Sequence, residues 1–105
     1  MAEKTIMLVC SAGMSTSLLV SKMQKAAEAQ GVDAEIFAVS ASEADANLQK
    51  KDVNVLLLGP QVRFMEKQFQ AKVEGTDIKL AVINMQDYGM MNGEKVLKTA
   101  IEMMG

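Results

Sequence analysis

Four short apolar runs, separated by segments of helical period, constrain the fold more than any other feature of this chain. They are Ile6-Met7-Leu8-Val9, Ala34 to Val39 with Ile36, Phe37 and Val39, Val53 to Leu58 (VNVLLL), and Ile78 to Ile83 (IKLAVI). The runs are nearly continuous rather than alternating, the pattern of strands buried on both faces of a parallel sheet. Between them the period lengthens. Leu19, Met23, Ala26 and Ala27 share one helical face, Lys22, Lys25 and Glu28 point away, and Gly31 supplies a stop. Ser42-Glu43-Ala44-Asp45 reads as a capping box that opens a short helix to about Lys50. After Gly59-Pro60, the stripe Val62, Met65, Phe69 and Val73 runs to Gly75. Val96, Leu97, Ala100, Ile101 and Met104 form a last amphipathic helix after Asn92-Gly93. No long linker or repeat interrupts the order βαβαβαβα. It specifies one three-layer α/β domain spanning residues 1–105, with right-handed crossovers.

In such sheets ligands sit outside the carboxyl ends of the strands, near the point where strand order reverses. The loop after Val9 is therefore the expected site. The loops after the third and fourth strands, Gly59-Pro60-Gln61 and Asn84 to Asn92, border it on the same edge. Composition narrows the chemistry. The net charge of −2 and the absence of a basic cluster argue against nucleic acid. The apolar runs are too short to cross a bilayer. The start, MAEKTIMLVC, reads as a strand and not as a signal peptide, so a cytoplasmic protein is expected. One cysteine precludes an intramolecular disulfide. Without histidine, neither a Cys/His zinc site nor an internal Cys–His nucleophilic pair can form. The 10 methionines read as core filler, except Met90 and Met91, which fall in an expected loop.

The single thiol, Cys10, closes the first apolar run, where side chains begin to emerge at the functional edge. A lone cysteine is ordinarily buried filler, but its surroundings point elsewhere. Ser11, Ser15, Thr16 and Ser17 offer hydrogen bonds, and Gly13 lets backbone pass close to a ligand. A helix then begins, so unpaired N–H groups and the positive end of its dipole face back toward the sulfur. A thiolate there is a ready nucleophile, and the same N–H groups suit a phosphate. Singly, these hydroxyl residues also serve as helix caps and turn formers.

Cysteine-dependent phosphatases resemble this arrangement, with Cys-x5-Arg-Ser/Thr after a first strand. Here the sixth residue after Cys10 is Thr16 and the seventh is Ser17, so the Ser/Thr is in place and the arginine is not. The one arginine, Arg63, falls on the expected third helix. An arginine clamp stabilises charge on the transferring oxygens. A site with thiolate and cradle but no clamp holds a phosphoryl group and hydrolyses it poorly, which suits a carrier. A low-molecular-weight phosphatase or arsenate reductase is the alternative, with Asp87-Tyr88 resembling a general-acid loop as well as a local turn. A receiver-like binding module lacks its aspartate, since Gly59 follows the third strand. GxGxxG and Walker patterns are absent too.

The run CSAGMSTSLL closely resembles the phosphorylation-site loop of enzyme IIB of the lactose/cellobiose/chitobiose class in the bacterial phosphoenolpyruvate-dependent sugar phosphotransferase system. LLLGPQ, Tyr88-Gly89 and the closing VLKTA extend the likeness over most of the chain. The resemblance implies a four-stranded parallel sheet in the order 2-1-3-4, similar to that of low-molecular-weight tyrosine phosphatases. It implies that Cys10 is a phosphocysteine nucleophile and that Ser11, Ala12, Gly13, Met14, Ser15, Thr16 and Ser17 surround the phosphoryl oxygens, mostly through backbone N–H groups. The donor would be a phosphohistidine on enzyme IIA. The acceptor would be a sugar, a β-disaccharide of the cellobiose or chitobiose type, held by membrane enzyme IIC. The activity would be that of a protein-phosphocysteine–sugar phosphotransferase with no cofactor, metal or small-molecule pocket of its own. The protein would meet the inner face of the membrane through enzyme IIC, and because no apolar stripe is left over once the core is assigned, a cytoplasmic monomer is expected. Met14, Pro60, Gln61, Tyr88, Met90 and Met91 are the expected docking residues.

Overall fold

A computed structural model describes residues 4–10, 13–50 and 53–104. Four parallel strands, β1 Lys4–Cys10, β2 Ala34–Ser40, β3 Val55–Leu58 and β4 Lys79–Val82, form one sheet in the order β2-β1-β3-β4. Five α-helices connect or follow them: α1 Gly13–Gln30, α2 Ala44–Lys50, α3 Glu66–Val73, α4 Met85–Gly89 and α5 Gly93–Met104. The expected strand order and α/β architecture are observed.

Alternate strand residues face opposite sides of the sheet, and two apolar clusters result. Ile6, Leu8, Val55 and Leu57 pack beneath α1 and α5 with Leu19, Met23, Val96 and Leu97. Met7, Val9, Leu56 and Leu58 pack on the other face with Ala44, Val62, Phe69 and Val73. Because β1 and β3 are central, their side chains are covered on both sides, which is why these runs contain no polar alternation.

Four local expectations are corrected. Helix α1 begins at Gly13 and not after Ser17, so Gly13 to Ser17 of the expected loop are already helical. Ser42 does not open a capping box. A 3-10 turn, Ala41–Glu43, precedes α2 with Ser40 at its N-cap, and Ser40 Oγ bonds Glu43 Oε1 at 2.9 Å. The stripe after Pro60 is not one helix. Pro60–Met65 is 3-10 with a break at Val62 (φ −116°, ψ 18°), and α3 starts only at Glu66. Val62, Phe69 and Val73 are nonetheless buried. The change of pitch keeps them on one side while turning Phe64 outward. Finally, the Asn84–Asn92 loop contains α4, capped by Asn84 Oδ1, which accepts from Gln86 N at 2.8 Å. The expected stops stand: Gly31 and Gly75 take φ of +71° and +83°.

Candidate functional site

Cys10 is the last residue of β1 and lies opposite Ser40, the last of β2. At the same level Gly59 N donates to Val9 O and Ile83 N to Leu58 O, each at 2.8 Å. The carboxyl ends of all four strands therefore finish side by side, with Cys10 on a central one. Helix α1 starts at Gly13, three Cα steps from Cys10, a reach of at most about 11 Å. Its first turn, Gly13 to Thr16, has N–H groups with no intrahelical acceptor. So short a link places those donors beside the end of β1, where the dipole favours an anion.

The sulfur is more enclosed than the sequence implies. Cys10 is a free thiol, 2% exposed, with Sγ 3.9 Å from Val39 O. Strand pairing continues through Cys10, so the residue belongs to the sheet and not to an open loop. Ser11 and Ala12 lie outside the described residues, and for Gly13, Met14, Ser15 and Thr16 only the helical backbone is described. Ser17 is exposed on α1.

The expected docking residues divide. Pro60 is half-buried at the start of its 3-10 segment, and Met90 is 68% exposed. Met91, half-buried at a φ of 53°, packs against the α1/α5 cluster. Tyr88 is placed in that same core and not on the rim, because α4 turns its ring inward. The side chain of Gln61 lies outside the described residues. The structure adds three apolar side chains not anticipated above: Leu18, Phe64 (78% exposed) and Met85. Phe64 was detectable, since it falls off the Val62–Val73 stripe. Leu18 and Met85 carry no comparable signal.

Arg63, the only arginine, is exposed on the segment after β3. Asp87 is 8% exposed, with Lys95 Nζ 3.6 Å from Oδ1. Among the described residues no three His, Cys, Asp or Glu side chains gather as metal ligands, and no helix is long and apolar enough to cross a membrane.

Comparison with known proteins bears on this arrangement. The family model for the lactose/cellobiose-specific IIB subunit of the phosphotransferase system matches residues 5–99. The cellobiose-specific EIIB component of Lactococcus lactis subsp. lactis is 54% identical over 99% of both chains. The oligo-beta-mannoside-specific EIIB component of Bacillus subtilis is 42% identical over 96% of both. A solution structure of the cellobiose-specific IIB component from Borrelia burgdorferi superposes with a TM-score of 0.77 at 40% identity, covering 96% of this chain and 91% of that one. The lactose-specific IIB domain from Streptococcus pneumoniae, 16% identical, shares the fold with a TM-score of 0.82 over 96% and 97%. With a parallel sheet of matching fold, a cysteine ending its central strand and a family match over most of its length, the chain belongs to the lactose/cellobiose-specific IIB family of the sugar phosphotransferase system.

Proposed function

We propose that Cys10 carries a phosphoryl group from enzyme IIA to a sugar held by membrane enzyme IIC. The observation that supports this reading is the placement of a lone thiol at the end of β1, one short link from the open first turn of α1. In the first step the Cys10 thiolate attacks phosphorus on a phosphohistidine of enzyme IIA. The S–P bond forms, the N–P bond breaks, and its electron pair returns to the imidazole. In the second step a sugar hydroxyl oxygen attacks phosphorus, the S–P bond breaks, the hydroxyl proton goes to a base on enzyme IIC, and the thiolate is restored. Between the steps the N–H groups of α1 spread the charge of the phosphoryl oxygens. Of the expected cradle, Gly13 to Thr16 supply these N–H groups from the first turn of α1. Arg63, exposed and distant in sequence, gives no support to a phosphatase clamp.

A cytoplasmic carrier for a β-linked disaccharide of the cellobiose type is the reading most consistent with its relatives, whose names include cellobiose, galactose and oligo-beta-mannoside. Pro60, Met90 and Met91 form part of the docking rim, joined by Leu18, Phe64 and Met85. All follow the carboxyl ends of β1, β3 and β4 in the chain. Exposed apolar side chains suit a partner that excludes water during transfer.

The test is intact-mass analysis after incubation with phosphoenolpyruvate, the general phosphotransferase proteins and a cognate enzyme IIA. One phosphoryl adduct is expected, absent in Cys10→Ser. Turnover of an aryl phosphate without a stable adduct would overturn the reading in favour of a phosphatase.

A further inference from the structure

Between the free edge of β4 and α5 lies a cavity of about 240 Å³, lined on its polar side by Asn84, Asp87, Lys95 and Thr99. Ile83 and Val96 contribute to its apolar wall. We propose that this cavity binds a neutral polyhydroxylated molecule of monosaccharide size.

Its volume is below the range of roughly 300–1,000 Å³ typical of drug-sized ligands, which leaves room for one small ring. Asp87 is the buried charge among the described residues. Asp87 lines the cavity, and Lys95 Nζ stands 3.6 Å from its Oδ1, an ion pair longer than a hydrogen bond. The Lys95 side chain is 63% exposed and that of Asp87 11%. The polar wall therefore presents both acceptors and donors. Asn84 Oδ1 is engaged in capping α4, which directs its amide NH₂ to other acceptors. Thr99 Oγ1 donates to Lys95 O at 3.0 Å and keeps its lone pairs. An anion meets the buried carboxylate, and a cation meets the ammonium. A hydroxyl both donates and accepts, so a polyol satisfies the whole set without adding charge. The apolar wall suits the C–H face of such a ring.

The site is independent of the thiol, which sets the test. The full chain, labelled with ¹⁵N, is titrated with glucose, galactose and glucose 6-phosphate. Saturable shifts at Asn84, Asp87, Lys95, Val96 and Thr99 are expected with the neutral sugars at millimolar concentration, and weaker ones with the phosphate ester. Thr99→Val, at an exposed position, should weaken binding about fivefold, as expected for one neutral hydrogen bond. Asp87→Asn should weaken it at least as much. Cys10→Ser should bind as the parent protein does, whether or not the phosphoryl-carrier reading holds. Absence of saturable shifts, shifts scattered over the surface, or shifts unchanged in Thr99→Val would each overturn the proposal.

Discussion

The two faces of the sheet are built on different plans. One is covered by long helices: α1 and α5 lie against each other as well as on the sheet, over Leu19, Met23, Leu97 and Ala100. At their contact, a Cβ on Gly93 would lie 2.7 Å from the backbone of Lys22 and Met23. The opposite face is assembled from the short α2 and α3 and two 3-10 segments. There Phe69 and Val62 supply the core, while the break at Val62 leaves Phe64 outside. The first face holds α1, whose N-terminus adjoins Cys10, in a fixed relation to β1. The second face tolerates irregular backbone, and this irregularity is what presents an aromatic ring at the surface. Long regular helices fix position on the first face, and the change of pitch on the second leaves Phe64 exposed.

Core truncations should test this contrast most strongly. Phe69→Ala, on the second face, is expected to cost about 3–5 kcal/mol in urea unfolding, and Leu19→Ala, beneath α1, about 2–5 kcal/mol. Below their transitions the two should part. The Phe69 variant should accept a phosphoryl group at the parent rate, while the Leu19 variant should be slower because α1 shifts. Equal rates would remove the functional half of the comparison.

Gly93→Ala should cost about 1–3 kcal/mol, since backbone rather than a flexible side-chain end must yield. A variant as stable as the parent would show that the two long helices are less closely packed than described. Phe64→Ser should leave the thermal midpoint nearly unchanged, yet raise KM for phosphorylation by enzyme IIA about tenfold, the loss expected of one apolar anchor. An unchanged KM would separate the second face from docking. Smallest is Lys72→Met, which removes the bridge from α3 to Asp45 on α2 at 2.6 Å. Both partners are well exposed, so the expected loss is about 0–1 kcal/mol and shrinks further in salt.

Much of the fold was legible because the two central strands, β1 and β3, are covered on both faces. Val55 to Leu58 are buried on both faces, so the sequence shows an unbroken apolar run with one structural meaning. Helix starts were harder to read. Gly13 to Ser17 have weak helix propensity and read as a loop, yet they begin α1. Favourable packing farther along the same helix outweighs a poor first turn. Gly93 illustrates the same limit: the last helix was expected to begin after it, yet it opens α5 and allows close approach to Lys22. Asp87 and Lys95 are eight positions apart on different helices, and only the turn between α4 and α5 brings them to one cavity.

The sequence by itself determined the strand count and the α/β class, and it singled out Cys10 as the candidate nucleophile. Each depends on local apolar period or on a thiol with no histidine or second cysteine to pair with. Tertiary structure decided how deeply Cys10 sits, that Tyr88 joins the core, that Phe64 stands at the surface, and that a polar cavity opens beside β4. These depend on which residues distant in the chain are packed together, and a one-dimensional pattern carries no record of that distance.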